Sequence, residues 1–247
     1  MSAWIDGFFM SWGMFCAIPC PLKRWNEEAR GRMLACFPLL GLLFGILWAA
    51  AAWLLEQAGC PMMIRGMLLA CCPWLLSGFI HLDGYMDVCD AVLSRRDLNR
   101  RQQILKDSHC GAFAVICMVL LGMAQWSLFA EGRDIEFISL AMIPVAARSC
   151  SAMATMKLRP MAGSQYAAMK KTAGAEKLLP VICGLVSAVL PLLLCGMKGT
   201  APLAAAAAYA LAARHAFVQL DGFSGDAAGF SLTISELAGA AALVLIG

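Results

Sequence analysis

Long uncharged apolar stretches alternate with short polar segments along most of this chain, and the alternation predicts an all-α membrane protein. A stretch of about 20 apolar residues is long enough to cross the bilayer core as a helix. Five such stretches, the second of them at the short end for a span, are 33–55, 66–82, 110–130, 137–156 and 178–197. An Ala-rich stretch from Lys198 to Ala213 predicts a sixth span, which would pack closely because its side chains are small.

The two ends of the chain are less clearly membrane-spanning. Residues 3–21 are mostly apolar but include Asp6, and Pro19 and Pro21 end the stretch, which favours a short interfacial or re-entrant helix over a full span. The terminal apolar stretch 237–247 is too short to cross unless its helix starts near Phe230. The expected fold is therefore a single integral-membrane domain over residues 1–247, a polytopic helix bundle with about six to seven transmembrane helices plus an N-terminal interfacial helix.

Composition supports the membrane class. Hydrophobic residues make up 61% of the 247 and charged residues only 14%, whereas soluble domains average about a quarter charged residues. The net charge of +3 is too small to argue for a nucleic-acid partner. Most of the twelve cysteines fall within apolar stretches, so they are predicted to be reduced thiols that pack as small hydrophobic side chains.

The distribution of Lys and Arg predicts the orientation in the membrane. Four, five and five of them lie, respectively, in the polar segments 22–32, 83–109 and 157–177. One each lies in the alternate segments 56–65, 131–136 and 198–199. Because positively charged loops stay in the cytoplasm, the first set is expected there, together with the polar hinge 214–230. We therefore expect a multi-pass protein of the cell membrane (the inner one where there are two), with its site at the cytoplasmic face.

The most informative polar pattern is a stripe of three carboxylates, Asp83, Asp87 and Asp90. On an α-helix they lie at about 0°, 40° and −20°, on one narrow face. Three anions on one face repel each other, so the stripe predicts a neutralising divalent cation with oxygen ligands, of which Mg²⁺ is the usual choice beside phosphates. The alternative is a solvated acidic face paired with the arginines that follow. The position directly after an apolar stretch, whose helix is expected to continue past Asp83 into a polar cavity, favours the metal site.

The other candidate residues are basic or lie in glycine-rich segments. Arg95, Arg96 and their neighbours are either anchors for lipid head groups or clamps for phosphoryl groups. Lys106, Asp107 and Ser108 precede the third span, where a helix N-terminus favours anions, although Asp107 could equally be only an N-cap. His81 lies on a different side of the helix from the stripe and is a weaker candidate ligand.

Two further polar residues occur where apolar sequence is expected. Arg148 lies in the middle of the fourth span and needs an anionic partner, which we expect to be a carboxylate of the stripe or a bound diphosphate. Asp226 lies in the segment GFSGDAAGF, which is either a flexible loop or, as its glycines favour, the lining of a pocket.

Four blocks of the sequence resemble a known family. HLDGYMDVCD, FPLLGLLFG, the segment from Lys106 to Gly111, and GFSGDAAGF are similar, in order and over nearly the whole chain, to motifs of the adenosylcobinamide-GDP ribazoletransferases, the membrane cobalamin synthases. Five residues at three places depart from the usual motifs and affect the shape of the pocket more than its charge: Ala91, Tyr85–Met86 and Ala227–Ala228.

The resemblance implies a Mg²⁺-dependent phosphoryl transfer from adenosylcobinamide-GDP to a ribose hydroxyl of α-ribazole or its 5′-phosphate, with GMP leaving. It implies that one carboxylate acts as general base and that the catalytic and metal-binding residues are Asp83, Asp87, Asp90 and Asp107. The substrate-binding residues expected from the resemblance and from the charge pattern together are His81, Arg95, Arg96, Lys106, Ser108, Arg148 and Asp226. The expected surroundings are the lipid bilayer, without nucleic acid, and a homo-oligomer is left open.

Three other functions remain open from the sequence alone. A UbiA-type prenyltransferase also uses Asp-rich helices and Mg²⁺, but its N-D-x-x-D motif is missing, and Asp221 and Asp226 are too far apart for a second acidic pair. A CDP-alcohol phosphotransferase would carry out similar chemistry. A transporter would use Arg148 and the stripe as ligands, although the sequence has no convincing internal repeat.

Overall fold

The computed structural model describes residues 3–23, 25–132, 134–164 and 174–246, and this part of the chain is built from α-helices without a strand. The middle of the third basic segment, at 165–173, is outside the described residues. The helices are α1 (Ala3–Phe15), α2 (Arg30–Ala35), α3 (Phe37–Gln57), α4 (Met62–Leu76), α5 (Ile80–Leu93), α6 (Leu98–Ile104), α7 (Ala112–Glu131), α8 (Phe137–Lys157), α9 (Leu178–Cys195), α10 (Ala201–Leu220) and α11 (Gly225–Leu245).

The long helices confirm the prediction of a polytopic membrane bundle. Five stretches among the described residues are long and apolar enough to cross a membrane, or six if the bent pair α4 and α5 counts as one span. One of the five, Gly174–Leu220, contains both α9 and α10. A straight helix of its 47 residues would be roughly 70 Å long, more than twice the hydrocarbon thickness. This stretch is interrupted at Gly196, whose φ is positive at 59°. The helices on its two sides, α9 and α10, are each long enough to span the membrane.

The chain bends sharply just before the acidic stripe, and the expectation that the second span continues past Asp83 is wrong. Helix α4 ends at Leu76, and α5 leaves at 93° to it. Gly78 and Phe79 adopt φ of 61° and 65°, in the left-handed region that ends α-helices. The three carboxylates therefore belong to a separate helix, α5, and the prediction that they share one helix is confirmed.

The first and last helices of the described chain, α1 and α11, differ in length. Helix α1 has 13 residues and is roughly 20 Å long, too short for a span, as the sequence predicts. Helix α11 starts at Gly225, so only four residues remain of the hinge expected over 214–230, and the last helix reaches spanning length. The Ser224 hydroxyl accepts a hydrogen bond from the Ala227 N–H and caps this earlier start.

Glycines let α5 and α11 approach each other closely. A Cβ on Gly84 would lie 2.8 Å from the Asp226 Cα, and a Cβ on Gly229 would lie 2.9 Å from the His81 carbonyl oxygen. Neither contact could accommodate a side chain without moving the backbone of one of the two helices. The close packing brings the start of α11 against the acidic face of α5. All twelve cysteines are free in this structure.

Thiol labelling tests the orientation that the basic segments predict. In a cysteine-free background, a cysteine at exposed Asn99 should react with a membrane-impermeant maleimide only in inside-out vesicles. Cysteines at Gly59 and Glu131 should react only from the opposite side, because their segments are poor in Lys and Arg. A position near Lys170, also expected in the cytoplasm, is outside the described residues. Labelling of Asn99 from outside would reverse the predicted topology.

Candidate functional site

Four carboxylates form an acidic cluster where α5 meets α11: Asp83, Asp87 and Asp90 of α5, and Asp226 in the first turn of α11. The negative charges of the other three all act on Asp87, which is half-buried. The Ser224 hydroxyl lies 3.3 Å from Asp226 Oδ2 and donates a hydrogen bond to it. None of the four carboxylates forms an ion pair with a Lys, Arg or His of the described ranges.

The chemistry of this cluster suits a hard divalent cation. Carboxylate oxygens are the ligands that Mg²⁺ takes, and an acidic cluster without a protein cation leaves its charge to be balanced by a metal or ligand. Within the described chain, however, no group of three or more His, Cys, Asp or Glu side chains is already gathered around a single point. The four carboxylates are therefore the right kind of ligand for the metal, but in this structure their oxygens do not converge on one point.

A cavity of about 320 Å³ opens beside one end of the acidic cluster. Its polar side is lined by Asp83, Asp226, Lys106 and Ser224, and its other walls include Phe15, Phe37 and His81. We call it the aromatic cavity. It brings together α1, α3, α5 and α11, so its lining comes from both halves of the chain.

A second cavity, of about 780 Å³, lies beside the other end of the stripe. Its lining includes Arg96 and Arg100, after which we call it the basic cavity, together with three aspartates, Asp90, Asp97 and Asp107. A Cβ on Gly111, which precedes α7, would overlap the Asp90 carboxylate, so only glycine leaves room for that side chain. Because Asp83 lines one cavity and Asp90 the other, the stripe on α5 runs from the aromatic cavity to the basic one.

Asp107 is held by its own loop. Helix α7 starts at Ala112 with Gly111 as N-cap and without a side-chain cap, so the interpretation of Asp107 as an N-cap is wrong. Asp107 Oδ1 instead accepts from the His109 backbone N–H at 3.1 Å and lies 2.6 Å from the His109 Nδ1. These bonds hold the pKa of Asp107 below its usual range. Asp107 shares the basic cavity with Asp90 but is not among the charges that act on Asp87.

Arg148 has a different partner from the one that the sequence predicts. It is fully buried, and its Nη1 lies 2.7 Å from Glu236 Oε1 of α11. Its guanidinium lies over the rings of Phe44 and Phe37, with 4.5 and 5.6 Å to the ring centroids. A stripe carboxylate is thus wrong as its expected protein partner, because Glu236 forms the ion pair instead. We therefore revise its role from substrate binding to a structural link between α3, α8 and α11.

The remaining predicted residues are divided between the two cavities and the surface. His81 and Lys106 line the aromatic cavity, and Arg96 lines the basic one. Arg95 and Ser108 are exposed and are in neither of these two linings. The sequence did not predict three residues at these positions: Phe15 and Phe37 in the aromatic wall, and Glu236 as the partner of Arg148. Only Glu236 had a usable signal, because it is an acidic residue at the edge of an apolar stretch.

Comparisons with known proteins identify the family. The family model described as Cobalamin-5-phosphate synthase matches residues 7–244. Proteins named adenosylcobinamide-GDP ribazoletransferase from Clostridium botulinum (strain Alaska E43 / Type E3) and Pseudomonas putida (strain W619) are each 34% identical to the chain. The alignments cover 94% of this chain and 94% of the first relative, and 93% and 95% for the second. A relative of that name from Clostridium perfringens (strain SM101 / Type A) is 32% identical, with 96% of both chains covered. No solved structure matches the chain. Matched from near its first helix to the end of its last, the chain belongs to the cobalamin-5-phosphate synthase family of enzymes.

Proposed function

We propose that this protein transfers the adenosylcobinamide phosphoryl group of adenosylcobinamide-GDP to α-ribazole or its 5′-phosphate. The products are adenosylcobalamin, or its 5′-phosphate, and GMP. The names of the relatives support the two substrates. The single structural observation that carries the proposal is the acidic cluster, whose carboxylates have no ion-pair partner in the described chain and connect two cavities.

In the reaction, a ribose hydroxyl oxygen bonds to the phosphorus that carries the cobinamide, and the bond from that phosphorus to the GMP oxygen breaks. The hydroxyl proton passes to a carboxylate. Asp83 and Asp226 are the two carboxylates that line the aromatic cavity, and Asp226 is the one outside the proposed set of metal ligands, so it is the candidate for this general base. Holding the hydroxyl beside the phosphorus also removes much of the entropic cost of bringing the two substrates together.

Mg²⁺ is proposed as the cofactor, with Asp83, Asp87 and Asp90 as its ligands. When bound, it would neutralise the diphosphate oxygens and stabilise GMP as a leaving group. Asp107 stays a predicted fourth ligand, with its exposed loop position beside Asp90 as the only structural support.

The basic cavity suits the nucleotide half of the donor. Its Arg96 and Arg100 are exposed guanidinium groups, which bind phosphate oxygens in pairs of hydrogen bonds. The lining also offers Asn99 and Gln103 as polar partners for the nucleoside. We propose that this cavity opens to the cytoplasm, where nucleotides are available, in keeping with the basic segments around it.

A reconstituted assay tests the proposed function. The purified protein in lipid nanodiscs is incubated with adenosylcobinamide-GDP, Mg²⁺ and either α-ribazole or its 5′-phosphate, and the products are separated and identified by mass spectrometry. We expect one GMP for each cobalamin, with both products depending on both substrates and disappearing on chelation by EDTA. Release of GMP without α-ribazole would indicate a hydrolase, and the absence of any product would overturn the proposal.

A further inference from the structure

We propose that the aromatic cavity is the acceptor subsite and binds the planar base of α-ribazole against Phe15, Phe37 and His81. The ribose then lies toward Asp83 and Asp226. This inference rests on the proposed function and adds which cavity takes which substrate.

The inner walls of the cavity have the composition of a binding site for a flat aromatic ring. The rings of Phe15 and Phe37 are 4.8 Å apart, and the His81 ring lies 6.0 Å from each of them. Three rings at these distances offer both a face and edges to a fourth ring, an arrangement that stabilises aromatic contacts beyond the area they bury. All three side chains are buried, so a ring that enters this space leaves water.

His81 also provides an unused polar atom. Its Nε2 is buried, and no residue of the described ranges forms a hydrogen bond with it. A buried polar atom without a partner costs free energy, and a ligand that supplies the partner recovers it. The benzimidazole of α-ribazole keeps one ring nitrogen that is not bonded to ribose and can accept a hydrogen bond. A flat base with one acceptor nitrogen therefore matches both features of this wall.

The polar side of the same cavity suits the rest of the acceptor. Asp83 and Asp226 lie where a ribose hydroxyl would meet the acidic cluster, and the Ser224 hydroxyl lies beside Asp226. Lys106 is the only Lys or Arg among the described lining residues. Its ammonium group gives the 5′-phosphate of phosphorylated α-ribazole a cationic partner, and leaves unphosphorylated α-ribazole free to bind through its base.

The sizes of the two cavities and the location of the two guanidinium groups argue against the reverse arrangement. At about 320 Å³ the aromatic cavity is at the lower end of the range for small-molecule sites, and a corrin macrocycle with its side chains is too large for it. The guanine of the donor is also planar, but its diphosphate needs the guanidinium groups, which line the basic cavity. The test therefore has to separate α-ribazole from the nucleotide.

Two substitutions test the subsite, Phe15→Leu and His81→Gln. Each keeps most of the side-chain volume but removes the aromatic ring. The first readout is equilibrium binding of α-ribazole to the protein in nanodiscs without Mg²⁺ or corrinoid, and the second is the KM of each substrate. We expect each variant to weaken α-ribazole binding and raise its KM by about 5- to 10-fold, as expected for loss of an aromatic contact. The KM of adenosylcobinamide-GDP should stay within about twofold by the same argument.

Phe129→Leu is the matched control, because Phe129 is a fully buried aromatic residue that packs against Trp48, in neither cavity lining. Phe129→Leu should change the KM of neither substrate.

Unchanged α-ribazole affinity in both variants, or a raised KM for the corrinoid instead, would overturn the subsite while the proposed function stands. If the wild type makes no product, the proposed function fails, and α-ribazole binding still decides whether the cavity takes the base. If Phe15→Leu does not fold, His81→Gln and competition by free 5,6-dimethylbenzimidazole against α-ribazole give the same answer.

Discussion

Asp87→Asn is expected to lower GMP release by about 100-fold or more. Even a residue that only supports a metal ligand typically costs about 10- to 100-fold in metal affinity or activity when it is replaced. Asp87 lies in the middle of the stripe, and the charges of Asp83, Asp90 and Asp226 all act on it. Asparagine has nearly the same shape, so no space is opened in the bundle. Removing one of several like charges also relieves repulsion, so the melting temperature should be unchanged or higher.

The comparison includes Asp83→Asn, which should behave in the same way, and Asp134→Asn as control. Asp134 is an exposed aspartate in the turn between α7 and α8, away from the acidic cluster, so its substitution should leave turnover unchanged. Rates close to wild type for both stripe variants at limiting Mg²⁺ would contradict the assignment of the acidic cluster as the metal site.

Arg148→Met should destabilise the protein by about 3–5 kcal/mol, because it leaves the carboxylate of a buried ion pair without its partner. Arg148 is fully buried and Glu236 nearly so, and their contact joins α8 to α11. Adding Glu236→Gln to Arg148→Met removes the unpaired charge and should recover part of the loss. Thermal unfolding of the single variants and the double variant in one detergent measures this coupling.

Arg148→Lys separates the structural role from the substrate-binding role that the sequence first suggested. If Arg148 is structural, the lysine variant loses some stability, but the KM of each substrate stays the same in the fraction that folds. Normal stability with a markedly raised KM for adenosylcobinamide-GDP would instead restore the original prediction. An Arg148→Met protein as stable as the wild type would also contradict the structural account.

The hydropathy pattern predicts most of the fold, because a spanning helix requires about 20 consecutive apolar residues that are visible in the sequence, as in α7 and α8. The bend before α5 has no such pattern. Phe79 adopts a left-handed backbone conformation that its residue type does not favour, so its identity gives no local signal for the bend. The sequence did not predict the early start of α11, because glycines such as Gly225 and Gly229 are typical of loops. Gly229 serves instead to bring α11 close to α5.

The site was predictable to the extent that it follows helical periodicity. Asp83, Asp87 and Asp90 are spaced for one face, and that spacing is local. The pairing of Arg148 with Glu236 joins residues 88 positions apart, and no local pattern reveals it. The aromatic cavity is equally nonlocal, because Phe15, Phe37 and His81 come from three different helices.

Binding of Mn²⁺ in place of Mg²⁺ tests most directly whether the acidic cluster is the metal site. Free Mn²⁺ gives a sharp electron paramagnetic resonance signal that is lost on binding, so a titration of the protein in nanodiscs without nucleotide, which would itself bind the ion, yields the affinity without any turnover. We expect Asp83→Asn and Asp87→Asn each to weaken Mn²⁺ binding by about 10-fold or more, and Asp134→Asn to bind as the wild type does. Equal Mn²⁺ affinity in the wild type and both stripe variants would contradict the metal site on α5.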